Sequence, residues 1–158
     1  MANKQHLQSE WTRWLARYPW TWFVTLTFRY GVHPEQAHKR FMRFVHIINQ
    51  QLYGRNYHKR PGTGIYWVLA LEYQKRGVIH FHALMADDFN LNTRLSRKVQ
   101  EQRWEKMAGF ARIYPIDDRM TAVTGYVSKY VAKDGELEVS ETMRGWIPSA
   151  QPPLEPEP

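Results

Sequence analysis

A His-Phe-His triplet at residues 80–82 is the first feature of this sequence that could do chemistry. In an extended strand, alternate side chains point to the same face, so His80 and His82 project side by side. The preceding polar stretch, Gln-Lys-Arg-Gly at 74–77, predicts a hairpin turn that folds Glu72 back beside the histidines. Two imidazoles and one carboxylate form a donor set for a divalent cation. The same spacing also fits two histidines that lie on an exposed sheet face and bind nothing.

A second set of reactive side chains lies on a helix that we predict to begin at residue 117 or 118 and to end near 133. Its apolar stripe, expected to pack on the core, comprises Met120, Val123, Val127 and Val131. The neighbouring stripe comprises Tyr126, Lys129, Tyr130 and Lys133. A phenol near a lysine and a metal-bound phosphate can attack phosphorus as phenolate. Tyr130 is predicted to lie closer to the core stripe than Tyr126, which favours a structural role for Tyr130. Either tyrosine could instead serve only to cover the core.

Composition narrows the class of protein. The 158 residues suit one domain, and the absence of cysteine excludes disulfides and thiolate metal sites. No apolar run is long enough for a membrane span, and the polar N-terminus does not resemble a signal peptide, so we expect a cytoplasmic protein without a membrane partner. The net charge of +7 and the abundant aromatic residues favour a nucleic acid partner, although many basic proteins bind none.

The elements that must position these side chains follow from periodicity. Helical spacing predicts helices at 7–17, 34–52 and 92–107, besides the one that carries the tyrosines. Runs of β-branched and aromatic residues predict strands at 20–28, 65–73, 78–86 and 110–116. This order predicts an α+β domain whose antiparallel sheet has the His-x-His strand at its centre and helices packed largely on one face. We expect the domain to span 1–135 and the Pro- and Glu-rich residues 136–158 to form a disordered tail.

Basic residues in two segments are the candidate DNA contacts. They are Arg55, His58, Lys59, Arg60, Arg94, Arg97 and Lys98. For any one of them, a solvated charged surface is an equal alternative.

Three segments, in order, resemble the three motifs of the HUH endonucleases, which include the rolling-circle replication initiators (Reps). Residues 23–28, Phe-Val-Thr-Leu-Thr-Phe, resemble the first motif. Glu72, eight residues before His80, and the His80–His82 triplet resemble the second. Residues 126–133 resemble the two-tyrosine motif of initiators from small single-stranded DNA phages and plasmids. The likeness covers roughly residues 20–135.

The resemblance implies a ferredoxin- or RRM-like HUH fold and a metal-dependent tyrosine DNA endonuclease and strand transferase. Glu72, His80 and His82 would hold Mg²⁺ or Mn²⁺. Tyr126 or Tyr130 would attack single-stranded DNA at an origin or hairpin to form a 5′-phosphotyrosine, and a later attack by the freed 3′-hydroxyl would rejoin the strand. Lys129 or Lys133 would stabilise the phenolate or the phosphate. Such a protein would work in a bacterial host cell with a separate helicase and host replication proteins.

The sequence departs from these motifs at some positions and leaves alternatives open. Ala86 stands where the circular-virus Reps often carry a glutamine, and residues 131–135 also resemble the viral motif that has a single tyrosine, here Tyr130. The number of acting tyrosines is therefore open. An HUH transposase or relaxase would use the same chemistry. A non-catalytic single-stranded nucleic-acid-binding module would not need this set of residues together. A zinc hydrolase would not need tyrosines.

Overall fold

The computed structural model describes residues 4–73, 77–117, 119–131 and 137–146. Helices in these ranges are α1 (Lys4–Leu15), α2 (Pro34–Tyr53), α3 (Leu91–Arg94), α4 (Arg97–Met107) and α5 (Arg119–Val131). Strands are β1 (Trp22–Thr27), β2 (Tyr66–Tyr73), β3 (Ile79–Ala86), β4 (Ala111–Pro115) and β5 (Leu137–Val139). Short 3-10 turns lie at Tyr57–Lys59 and Glu141–Gly145. Within the described ranges, every helix is too short or too polar to cross a bilayer.

The strands form one antiparallel sheet in the order β4-β1-β3-β2-β5. The His-x-His strand, β3, is therefore the central strand, and the predicted α+β class with an antiparallel sheet is confirmed. β2 and β3 pair as a hairpin over their whole length. Gly77 closes its turn with φ of 72°, a left-handed conformation that glycine adopts without steric cost.

The first face of the sheet packs against α2 and α4. Alternate strand residues point to this face, including Trp22, Val24, Leu26, Phe81, Ala83 and Met85. The apolar stripe of α2 covers them with Phe41, Phe44 and Ile48, and α4 adds Trp104. These side chains are almost fully buried, so this face holds the larger core and carries the helices that the sequence predicted.

The second face of the sheet is only partly covered. Over β2 and β3, its residues Tyr66, Val68, Ala70, Leu84 and Ala86 pack with α5 and with the end of α1. Both faces of β2 are therefore buried, which explains why its sequence is an apolar run without clear alternation. Over β1 and β4 the second face is more open: Arg112 and Tyr114 of β4 are exposed there.

The helix predicted at 92–107 is interrupted. Asn90 caps α3 by accepting a hydrogen bond from the backbone N–H of Asn92, and Ser96 caps α4 through the N–H of Val99. Between them, Leu95 is extended. The prediction of one helix was therefore wrong, because Ser96 supplies a second start signal in the middle of the pattern.

The chain after residue 135 was predicted to be a disordered tail, and this is wrong for residues 137–146. β5 pairs with β2, extending the sheet by one strand. Beyond it, Trp146 is buried and stacks on Tyr66 with ring centroids 3.9 Å apart. An aromatic stack of this kind anchors the segment to the core. Residues 147–158 lie outside the described ranges.

Candidate functional site

The hairpin of β2 and β3 brings the carboxylate of Glu72 to the two histidines. Glu72 lies directly opposite His80 in the antiparallel register, and Ala70 lies opposite His82. Side chains at opposite positions share a face, about 4.5–5.5 Å apart at their Cβ atoms. Glu72, His80 and His82 therefore belong to the second face, beside the part that α5 covers.

Both ring nitrogens of His82 have partners. Its Nε2 lies 3.0 Å from Glu72 Oε2, and its Nδ1 lies 3.2 Å from the hydroxyl of Thr25, on the neighbouring strand β1. A carboxylate can only accept, so this network assigns the proton to Nε2, and the Thr25 hydroxyl donates to Nδ1. The motif likeness covered Thr25, but no role was predicted for it. Its register position opposite His82 explains the contact.

Burial controls the protonation of this histidine. His82 is 6% exposed, and burial lowers its pKa to about 4 although Glu72 acts in the opposite direction. Burial also lowers the pKa of His80, again against Glu72. Both imidazoles are therefore neutral near pH 7, and a neutral imidazole is the form that can ligate a metal.

The three predicted ligands suit a divalent cation chemically, since imidazole and carboxylate both bind Mn²⁺ and carboxylate binds Mg²⁺. Glu72 and His82 already touch, and His80 occupies the adjacent position on the same face. In the described part of the chain, no three His, Asp or Glu side chains stand close enough together to hold an ion as they are. Metal binding would therefore need a rearrangement of these side chains, and it stays a prediction.

Tyr130 of α5 lies directly on this cluster. Its ring stacks on the ring of His82, with centroids 4.5 Å apart and planes inclined by 25°. Burial raises the pKa of Tyr130, and the negative charge of Glu72 raises it further. The ammonium of Lys129 lies 5.5 Å from the centroid of the Tyr130 ring, and its charge also contributes to the lowered pKa of both histidines. The structure thus brings Tyr130 and Lys129 together with the candidate ligands.

Tyr126 lies one helical turn earlier and is bound to the sheet. Its hydroxyl shares its proton between the carbonyl oxygens of Val68, at 3.2 Å, and His82, at 3.1 Å. Burial raises the pKa of Tyr126 well above its ordinary value. The prediction that Tyr130 is the more structural tyrosine is therefore wrong, because the rotation of α5 points the Tyr126 hydroxyl into the sheet. Lys133 lies outside the described residues.

The seven basic residues predicted to contact DNA lie away from this cluster. Four of them (Arg55, His58, Lys59 and Arg60) belong to the loop before β2, whereas Glu72 lies at the other end of that strand, about 20 Å away. Arg97 and Lys98 begin α4, which packs on the first face.

Arg60 and Arg94 also have structural partners. Arg60 donates to the backbone carbonyl of Tyr53. Arg94 pairs with the buried Asp87 at 2.8 Å and donates to the carbonyl of Leu52. DNA contact by the seven residues stays a prediction, but they do not belong to the site around His82.

A cationic and aromatic surface adjoins the site instead, on the exposed edge of β4. Arg112 lies opposite Thr25 and Tyr114 lies opposite Phe23, so both share the second face with His82. The Arg112 guanidinium lies 5.0 Å from the ring of Phe110. The strict alternation of exposed and buried residues in β4 was a usable signal for these side chains, although no role was predicted for them.

Gly109 lets β4 approach β1 closely. A Cβ at Gly109 would lie 2.3 Å from the Thr27 carbonyl oxygen, so no other residue fits without a shift of the backbone. The next residue, Phe110, is hydrogen-bonded through its backbone to Thr27. This contact fixes where β4 begins, and with it the register that aligns Arg112 with Thr25.

Comparison with known proteins gives one match. The model of a family described as Replication-associated protein, of the ORF2 type, matches residues 21–135, from β1 through α5. The matched range includes Glu72, both histidines and both tyrosines. No curated protein and no solved structure matches the chain.

Proposed function

Because the chain belongs to the replication-associated protein family of the ORF2 type, we propose that it is a replication initiator that nicks single-stranded DNA through a covalent tyrosine intermediate and can rejoin the strand. The observation that carries this proposal is the stacking of Tyr130 on His82, whose imidazole contacts Glu72. A phenol, an ammonium group and a candidate cation site within one cluster form the set of groups that phosphoryl transfer to tyrosine requires. This is the chemistry of the HUH endonucleases, which the sequence resembles.

Tyr130 is the nucleophile in this proposal. Its phenolate oxygen forms a bond to the scissile phosphorus, and the bond from phosphorus to the 3′ oxygen breaks, with the electron pair leaving on that oxygen. The products are a 5′-phosphotyrosine and a 3′-hydroxyl, and attack by a 3′-hydroxyl on the phosphotyrosine reverses the step. One phosphoester replaces another, so no nucleoside triphosphate is consumed. Lys129 lies close enough to stabilise the phenolate through its positive charge.

Glu72, His80 and His82 are the proposed ligands of Mg²⁺ or Mn²⁺. A bound cation supplies positive charge that polarises the scissile phosphate and offsets the carboxylate charge that raises the pKa of Tyr130. The low pKa of His82 keeps its imidazole unprotonated and available as a ligand at neutral pH. Thr25 positions that imidazole, since its hydroxyl can donate to Nδ1 or accept from it and therefore suits either tautomer.

Tyr126 has a structural role in this proposal. Its hydroxyl is bound to two backbone carbonyls in the core, so attack by Tyr126 would need those bonds to break and the helix to move. The proposal therefore needs one tyrosine, as in the single-tyrosine viral motif, rather than two that alternate.

Covalent trapping tests this function. The protein is incubated with a pool of single-stranded oligonucleotides and Mn²⁺, and SDS-resistant protein–DNA adducts are isolated and mapped by peptide mass spectrometry. We expect an adduct on the peptide that contains Tyr130 and none when EDTA removes the metal. Absence of an adduct with every divalent cation, in a sample shown by circular dichroism to be folded, would contradict the nuclease function.

A further inference from the structure

A groove of about 440 Å³ opens on the second face between α5 and the strands β1 and β4. Its walls are largely apolar, and they include Phe23, Tyr114, Ile116, Ala122 and Gly125. Tyr114 is 53% exposed, so one aromatic wall of the groove faces the solvent. An apolar groove with an accessible ring fits a flat, weakly hydrated group better than a charged one.

The groove is continuous with the candidate site. Phe23 forms its inner wall, and the ring of Phe23 lies 6.2 Å from the ring of His82 and 5.8 Å from that of Tyr126, measured between centroids. A ligand in the groove would therefore lie one residue spacing from the cluster around Tyr130. The position suits a part of the substrate next to the reacting phosphate.

Charge around the groove distinguishes its interior from its border. Arg112 is exposed on β4, two residues from Tyr114 on the same face, and lies opposite Thr25. Asp117 lines the other part of the groove, so its interior repels phosphate but can accept a hydrogen bond from an amino group. A nucleotide satisfies both conditions when its base enters the groove and its phosphate lies against Arg112.

From this arrangement we infer that the groove binds one unpaired nucleobase of the DNA strand next to the scissile phosphate, stacked on Tyr114 or Phe23. The inference rests on the proposed function, to which it adds the place where the strand is held. In a duplex each base is stacked and paired, so the groove selects single-stranded DNA. Stacking on an aromatic side chain tolerates any base, and the Asp117 carboxylate favours a base with an exocyclic amino group.

Gly125 offers a way to fill the groove without disturbing the fold. A Cβ built at Gly125 meets nothing within 4 Å, and the residue lies inside α5, where leucine is a better helix former than glycine. We expect Gly125→Leu to keep or raise the melting temperature. Its affinity for a fluorescent single-stranded oligonucleotide, measured by anisotropy in EDTA so that no cleavage occurs, should fall by about 10-fold or more.

Gly145→Leu is the matched control. Gly145 is exposed, a Cβ there also meets nothing within 4 Å, and the residue lies in the 3-10 turn after β5, outside the groove. This variant should bind the oligonucleotide as the unmodified protein does. Tyr114→Ala is a second test that does not depend on added volume, and it should weaken binding similarly because it removes the exposed ring.

Two results would overturn the groove: wild-type affinity in both Gly125→Leu and Tyr114→Ala, or equal competition by a blunt duplex of the same sequence. The affinity is measured without metal, so the result is independent of the covalent trapping assay. If adducts form but both variants bind normally, the groove is wrong and the nuclease function stands. If both variants lose affinity and no adduct ever forms, the groove stands and the proposed chemistry is wrong.

Discussion

Tyr126 and Tyr130 lie one turn apart on the same helix, and their exposed fractions, 1% and 2%, are almost equal. Their surroundings differ in what each contacts. The Tyr126 hydroxyl is held by backbone carbonyls of two strands, whereas the Tyr130 ring lies on the side chain of His82. Burial alone therefore does not separate a structural residue from a candidate nucleophile. The partner of the polar atom does.

Tyr130→Phe is the variant that should have the largest effect. It removes only the hydroxyl and keeps the ring that stacks on His82, so we expect the melting temperature and the Mn²⁺ affinity to change little. Covalent adduct formation should fall by at least about 10⁴-fold, since the attacking atom is gone. Adduct yield on denaturing gels measures this. Normal yield in Tyr130→Phe would transfer the catalytic role to another residue.

Thr25→Val should have an intermediate effect, which bears on the side-chain contacts that surround Tyr130. Valine has nearly the shape of threonine and suits a strand, but it leaves His82 Nδ1 without a hydrogen-bond partner. We expect Mn²⁺ affinity, measured by titration calorimetry, to weaken by about 10- to 100-fold.

Thr25→Ser keeps the hydroxyl and should restore most of that affinity. The ¹⁵N chemical shifts of the His82 ring give a second readout, because the tautomer should become mixed in Thr25→Val without metal. Equal affinity and unchanged ring shifts in Thr25→Val would exclude a positioning role.

Tyr126→Phe should have the smallest effect on the reaction and a measurable effect on stability. It leaves two buried carbonyls without the hydroxyl donor, which should lower the free energy of unfolding by about 1–2 kcal/mol. Denaturant titration measures this value. Adduct yield below the melting transition should stay within a few-fold of the unmodified protein, and its loss would show that both tyrosines act.

The hairpin and its site residues were predictable because they depend on local patterns. The turn residues before Gly77 and the run of strand-forming residues on each side define the pairing, and this pairing puts Glu72 opposite His80. Helical periodicity likewise placed both tyrosines on one edge of α5. Periodicity did not give the rotation of α5 against the sheet, which decides the partner of each hydroxyl.

Contacts between distant segments were not predictable in the same way. Thr25, His82 and Arg112 lie far apart in sequence and align only through the registers of β1 with β3 and β4. Charge alone selected the loop before β2 and the start of α4 as DNA contacts, since a sequence does not show on which side of a sheet a basic residue lies. The three-residue strand β5 was missed because its stability comes from pairing with β2 rather than from its own composition.

The sequence by itself determined the types and local spacing of the reactive groups: the His-x-His strand, the carboxylate across its hairpin, and the tyrosines and lysine on one helix. These follow from two- and 3.6-residue periods, which any segment carries in its own residues. Only the tertiary structure decided that Tyr130 lies on His82, that Tyr126 is bound to the backbone, and that a groove adjoins them. Those relations depend on how strands and helices distant in sequence pack to bury both faces of the sheet.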